Sequence, residues 1–186
     1  MEDFEISKKF LGGKRNNYLP ADVVCMATAL LWAQRSKDPS TQVGACFVNE
    51  NGRIISIGYN GAPLNWEDDD FPWGRDYDNG EENTKYPYVI HAEANGIMNY
   101  NGCAEDFKGS TVYVTLFPCH NCAKMLVQRK IKKVVYLSDK YLGTDDNKMA
   151  KLILKKCGVE VVAFESLNVN SYSKVILDLD INKKND

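Results

Sequence analysis

Residues 111–137 read TVYVTLFPCHNCAKMLVQRKIKKVVYL. Thr111 to Leu116 is a run rich in β-branched and aromatic residues, Pro118 ends it, and Cys119 to about Arg129 carries helical spacing. Lys133 to Leu137 is again strand-like. A strand, a helix and a second strand in close succession imply two parallel strands joined by a crossover. Downstream, a helix from about Asp146 to Lys156 ends at Gly158, and a further strand spans Val159 to Phe164. Upstream, a helix from about Ala92 to Tyr100 follows His91, and residues 21–36 form another helix, with Val24, Ala27 and Leu31, and also Val23 and Leu30, at helical spacing. Pro20 stands before that helix and Asp38-Pro39 stops it. Between these two helices, Val43 to Val48 and Arg53 to Gly58 flank Asn49-Glu50-Asn51-Gly52, an Asn-Gly turn that predicts an antiparallel hairpin. The expected fold is therefore α/β, a three-layer α/β/α arrangement around a mixed five-stranded sheet.

Residues 60–88 interrupt this order. They hold three prolines, Asp68-Asp69-Asp70 and several aromatics, and are too long for a simple connection. The two tryptophans and Phe71 favour packing over disorder. At 186 residues and 44% hydrophobic, the chain is long enough for a proper core and short for two domains, so one domain over 15–180 is expected, with tails at 1–14 and 181–186. No internal repeat or low-complexity segment is evident.

The longest apolar stretch, Val23 to Ala33, falls well short of the roughly 20 residues a membrane span requires. The start Met1-Glu2-Asp3-Phe4-Glu5 is acidic where a secretory signal would be basic and then apolar, so a cytoplasmic, reducing location is expected. Six cysteines without a compact framework spacing then point to metal binding and buried thiols rather than disulfides. A net charge of −2 argues against non-specific polynucleotide binding. It leaves room for one mononucleotide, whose phosphate needs only a few donors.

The chemistry concentrates in His91-Ala92-Glu93 and Pro118-Cys119-His120-Asn121-Cys122. His91, Cys119 and Cys122 are three ligands of the types zinc prefers, and a catalytic site uses three and leaves the fourth position to water. Cys119 at a helix start and Cys122 one turn on can point two sulfurs at one ion, and the helix N-terminus lowers the thiol pKa. Glu93 is suited to take the proton of the water and return it to a leaving group. His91 and Glu93 share a pocket only if the helix begins between them, because residues two apart lie about 200° round an ideal helix. Taken alone, Cys-Xaa-Xaa-Cys fits a structural zinc or a redox pair equally well, and His120 is expected to face solvent.

The joint pattern is the signature of the zinc nucleobase deaminases, in which the glutamate is acid and base and not a ligand. With Gln34 to Pro39, Gln42 to Cys46, Gly58 to Pro63, Lys85 to Glu93, Leu116 to Cys119 and Ser138 to Tyr141, the chain resembles the deoxycytidylate (dCMP) deaminases of the cytidine deaminase superfamily. The resemblance runs from about Arg15 to Ser173-Lys174-Val175 and implies a cytidine deaminase-like fold. It also implies one zinc per subunit and hydrolysis of dCMP to dUMP and ammonia, supplying dUMP for thymidylate synthesis. Glu93 would be the catalytic residue; Ser36, Lys37, Asn60, Ala92 and Tyr141 would bind substrate, with Asn60 at the sugar and Ser36, Lys37 and Tyr141 near the phosphate. A phosphate at the C-terminal end of the helix over residues 21–36 requires cationic help, which Arg35 and Lys37 provide; the alternative is that both merely complement the helix dipole and solvate its end.

The resemblance further implies activation by dCTP and inhibition by dTTP, Mg2+ accompanying the nucleotide effector, Gly61 and Ala62 near the effector, and a homohexamer. The chain departs from the family in two places. Many members have Leu-Asn-Ala-Ile where Ala94-Asn95-Gly96-Ile97 stands, placing a helix-disfavouring glycine behind the catalytic turn. Some phage members carry a second, structural zinc in the insertion, whereas residues 60–88 contain no Cys or His, so none is expected. Other readings left open are a deaminase for free deoxycytidine or a tRNA base, and a non-catalytic zinc module that binds nucleotides.

Overall fold

A computed structural model describes residues 14, 15 and 18–167. Ser173-Lys174-Val175, the tail 181–186 and all of 1–13 lie outside the described residues. Five strands, β1 (Gly44–Val48), β2 (Ile54–Tyr59), β3 (Thr111–Leu116), β4 (Lys133–Ser138) and β5 (Glu160–Ala163), form one sheet in the order β2-β1-β3-β4-β5. β1 runs antiparallel to both β2 and β3, whereas β3, β4 and β5 are parallel. The mixed sheet arises because a tight turn can reverse the chain between β1 and β2, while the later strands are separated by helices long enough to return it to the same end.

Alternation along the strands assigns the two faces. Cys46, Val48, Tyr113 and Val135 point to the side covered by α1 (Ala21–Ala33), where they meet Val23, Met26, Ala29 and Leu30. Ala45, Phe47, Val112, Val114 and Val134 point the other way, against Ala92 and Ile97 of α2 (Ala92–Met98), Ala123 and Leu126 of α3 (His120–Gln128), and Ala150 and Leu154 of α4 (Asp145–Lys156). One helix therefore covers one face and three cover the other, which is the expected α/β/α layering.

The ends of elements follow their local chemistry. The predicted helix over 21–36 stops at Ala33, because Arg35 and Ser36 donate to Trp32 and Ala33, three residues back, in a tightening last turn. In the hairpin turn Gly52 takes φ 72°, and Asn49 Oδ1 accepts from the amides of Asn51 and Arg53 at 3.1 and 2.9 Å. α4 closes as anticipated with Gly158 at φ 72°, the Val159 amide donating back to Leu154. The insertion is packed: Phe71 lies 5.1 Å from Trp66 and 4.4 Å from Trp73, and Trp66 lies 5.1 Å from Tyr88.

A glycine at position 96 follows from close packing of α2 on the sheet. A Cβ there would lie 2.5 Å from Cε2 of Phe47, a fully buried ring held edge-to-face on Phe107. Gly58 on β2 faces the same helix, and a Cβ there would collide with the carbonyl of Ala92. The departure seen at Gly96 is thus matched by a large aromatic on the strand opposite.

Candidate metal and catalytic site

β3 delivers the chain through Phe117 and Pro118 to Cys119, which caps α3; its sulfur accepts the amide of Cys122 at 3.4 Å. His91 is likewise the extended residue at the head of α2, so that helix does begin between His91 and Glu93. Two helix starts thus face each other across the sheet's end. Nδ1 of His91 lies 3.4 Å from Sγ of Cys119 and 3.6 Å from Sγ of Cys122. Ligands at about 2.3 Å for sulfur and 2.0 Å for nitrogen around a tetrahedral zinc stand about 3.5 Å apart. The two measured separations fit that figure, and all three donor atoms lie within 4.8 Å of one another. The donor set therefore fits zinc.

The titration behaviour of the same groups reflects their crowding. The hydrogen bond from Cys122, helped by His91, pulls the Cys119 thiol down to about 4. Cys122, giving its proton to Cys119 and buried beside Glu93, is pushed up. His91 rises to about 9 because it donates to the Cys119 sulfur. Burial pushes the Glu93 carboxyl up to about 7, against the opposing pull of His91. A carboxyl that is buried and titrates near neutrality can both accept and return a proton at physiological pH.

His91, Glu93 and Cys119 all line one cavity of about 440 Å³, within the range of small-molecule sites. Ala92, Asn60 and Tyr141, expected at the substrate, line it too, and its apolar wall is built from Val43, Val89, Leu116 and Phe117. Asn60 is buried and heavily committed: its Oδ1 accepts from the Val43 amide at 2.8 Å, and its Nδ2 donates to Thr41 and Asp38 at 3.0 and 3.2 Å. One lone pair of Oδ1 is left for a ligand. His120 turns away from the sulfurs to pair with Asp146.

The structure does not bring Ser36 and Lys37 to this cavity. Ser36 Oγ accepts from the Asp38 amide at 3.3 Å behind the end of α1, and the exposed ammonium of Lys37 pairs with Asp68 of the insertion. Gly61 and Ala62 also lie outside the lining; the amide and carbonyl of Gly61 are both bonded to Ile90, next to His91.

Other residues reach the cavity that pattern reasoning passed over. Lys85 is buried, and its Nζ bonds both Asp38 carboxylate oxygens at 2.6 and 2.5 Å. Arg75 and Tyr86 join it from the insertion, so residues 60–88 form a wall of the site. A lysine and an aspartate inside otherwise recognisable segments were the available signal; for Arg75 there was none beyond its being a cation in an insertion. Asn147 at the start of α4 lines the cavity as well. Its Nδ2 donates to Asp139 at 2.6 Å, while its Oδ1 has no hydrogen-bond partner among the described residues.

Residues 20–138 match the family model described as the cytidine and deoxycytidylate deaminase zinc-binding region. The chain belongs to this family. It is 48% identical to the deoxycytidylate deaminase of Mus musculus over 167 residues, 90% of each chain. Among solved structures, the dCMP deaminase of cyanophage S-TIM5 in apo form aligns with a TM-score of 0.59 at 31% identity, covering 76% of this chain and 95% of the phage one. The same phage enzyme in complex with dCMP and dUMP aligns with a TM-score of 0.59 at 28% identity, covering 78% and 99%. Both the α/β fold and the enzyme class read from the sequence, a hydrolytic deaminase, therefore stand. A zinc-binding region in the family model agrees with the His91, Cys119 and Cys122 cluster.

Proposed function

We propose that the protein hydrolyses dCMP, with one water, to dUMP and ammonia, using one zinc per subunit held by His91, Cys119 and Cys122. The observation that carries this reading is the presence of Glu93, buried and titrating near 7, in the same cavity as two of the three metal donors. Zinc, when bound, supplies an open coordination position at which water becomes acidic near neutrality and so nucleophilic toward C4 of the base. Glu93 accepts one proton of the attacking water and passes it to N3. It then takes the second from the hydroxyl added at C4 and passes it to the departing amine, so that both protons of the water are accounted for in dUMP and ammonia. The apolar wall of Val43, Val89, Leu116 and Phe117 excludes bulk water around the base. Asn60 takes the sugar hydroxyl through the acceptor lone pair it has uncommitted, a role supported by its presence in the cavity lining with Ala92 and Tyr141.

The relatives named above support dCMP as the substrate class. The family resemblance supports the remaining parts of the reading: a single domain over 15–180, supply of dUMP for thymidylate synthesis in the cytoplasm, and a homohexamer. It also supports activation by dCTP and inhibition by dTTP, with Mg2+ on the triphosphate and the effector near Gly61 and Ala62. No described helix is long and apolar enough to cross a membrane. The test is loss of ultraviolet absorbance with zinc-loaded protein on dCMP, CMP and deoxycytidine, each with and without dCTP and Mg2+. dCMP is expected to be turned over best and Glu93→Gln to abolish its turnover; comparable rates on deoxycytidine would refute the substrate assignment.

A further inference from the structure

We propose that Arg75, carried by the insertion, is the residue that reads the 5'-phosphate, and that the insertion therefore sets the preference for a nucleotide over a nucleoside. This rests on the mononucleotide reading above and moves its phosphate contact away from the end of α1. Among the described residues, two side chains of lysine or arginine line the cavity, Arg75 and Lys85. Lys85 is spent: it is buried and bonded to both oxygens of Asp38, which leaves that pair neutral toward a ligand. Arg75 pairs with no carboxylate among the described residues, so its charge remains available. The cation expected to do this, Lys37, is already neutralised by Asp68 and lies outside the lining.

The guanidinium is held ready. Its Nε donates to the Tyr86 hydroxyl at 2.9 Å, and Tyr86 is itself stacked on Tyr77 with ring centres 5.5 Å apart and planes 3° from parallel. The backbone beside it is clasped, the Lys85 amide donating to the Gly74 carbonyl at 3.0 Å. One edge of the fork is thus fixed by protein, and the four Nη protons remain for the two-pronged recognition of phosphate oxygens at which arginine excels. A 5'-phosphate dianion supplies paired, charged acceptors, whereas a nucleoside offers at that end one neutral hydroxyl oxygen.

The experiment compares kcat/KM on dCMP and on deoxycytidine for the full-length zinc-loaded protein and for Arg75→Ala, Arg75→Lys and Tyr86→Phe. Arg75 is exposed, so its replacement leaves folding intact. The ratio of the two specificity constants is expected to fall on the order of 100-fold in Arg75→Ala, chiefly through KM for dCMP, and about 10-fold in Arg75→Lys, which keeps charge but loses the fork. Tyr86→Phe, which frees the guanidinium plane, is expected to lower it by about 5-fold. A wild-type preference for dCMP that survives in Arg75→Ala overturns the inference, as does an equal loss on both substrates, or a collapse of the ratio in Lys37→Ala but not in Arg75→Ala. A wild-type ratio near one instead refutes the mononucleotide reading itself, so the two failures are told apart.

Discussion

Adding a single methyl group at Gly96 should reach the active site without touching it. The new Cβ would lie 2.5 Å from Cε2 and 3.1 Å from Cδ2 of Phe47. Non-bonded carbons prefer about 3.5–4.0 Å, so either the ring or the helix must yield by about 1 Å. The ring has little room, being fully buried and set edge-to-face on Phe107 with centres 5.3 Å apart. The helix is also pinned, by the Ser56 hydroxyl on the Gly96 carbonyl at 2.6 Å and by the Asn95 amide on the Tyr59 carbonyl at 2.7 Å. Overpacking of this kind costs about 1–3 kcal/mol, while replacing a helical glycine by alanine returns up to about 1 kcal/mol. Gly96→Ala is therefore expected to destabilise the protein by about 1 kcal/mol in urea unfolding. The larger effect should be on turnover. Glu93 stands one turn earlier on the same short helix, and a displacement of about 1 Å costs on the order of 100-fold. Phe47→Leu removes the obstacle, so the double variant should recover most of the kcat lost by Gly96→Ala, with a favourable coupling of about 1–2 kcal/mol in stability. If Gly96→Ala proves more stable and fully active, or if the two substitutions add without coupling, the packing argument fails.

Glu93→Gln should bind zinc stoichiometrically, by metal analysis, while losing about 10²–10⁴ in kcat; loss of the metal would show Glu93 to be structural. In zinc-free protein the Glu93 carboxyl is raised from 4.5 to about 7, so the folded state binds its proton more tightly than the unfolded chain does. Its contribution to stability is accordingly present below pH 4.5 and lost as pH rises to 7, a fall of about 3 kcal/mol at about 1.4 kcal/mol per tenfold change. Cys119, held at about 4, contributes the opposite slope over the same window. The test is therefore the difference in unfolding free energy, from denaturant titrations, between zinc-free wild type and Glu93→Gln, which should fall by about 3 kcal/mol from pH 4.5 to 7; a difference that does not change with pH would place the titration elsewhere. Lys85→Met strands the buried Asp38 carboxylate and should cost about 3–5 kcal/mol, or about 10 °C in Tm by calorimetry. A drop of less than 1 kcal/mol would mean that Asp38 is reached by water or by another cation. Cys119→Ser and Cys122→Ser should each abolish tight zinc binding, measured by competition with a chromogenic chelator, because a hydroxyl is a far poorer zinc ligand than a thiolate.

Much of this protein is local chemistry, and that part is legible in one dimension. The Asn-Gly turn, the glycine after α4 and the alternation of Ala45, Cys46, Phe47 and Val48 depend on backbone propensity and on side-chain period, both properties of neighbouring residues. The same holds for the metal donors, since Cys119 and Cys122 lie one helical turn apart and need no distant partner to share a direction. The helix ends shifted by a few residues because the tightening of a last turn is decided by which carbonyls find partners.

The insertion and the ionic lining of the cavity were of another kind. Lys85 and Asp38 are separated by 46 intervening residues, and nothing in either segment marks them as partners; burial forces the pairing, because neither charge survives alone in the interior. Lys37 was a reasonable phosphate ligand by position along the chain, yet folding of the insertion brings Asp68 to it and turns Arg75 to the cavity instead. Gly96 looked like a weakness in its helix until Phe47 was seen against it. The sequence by itself determined which atoms could bind zinc, where a proton could be held and how strands and helices alternate, because these depend on residue type and short spacing. Only the tertiary structure decided which charges are cancelled and which remain available, because cancellation depends on distance in space between residues far apart along the chain.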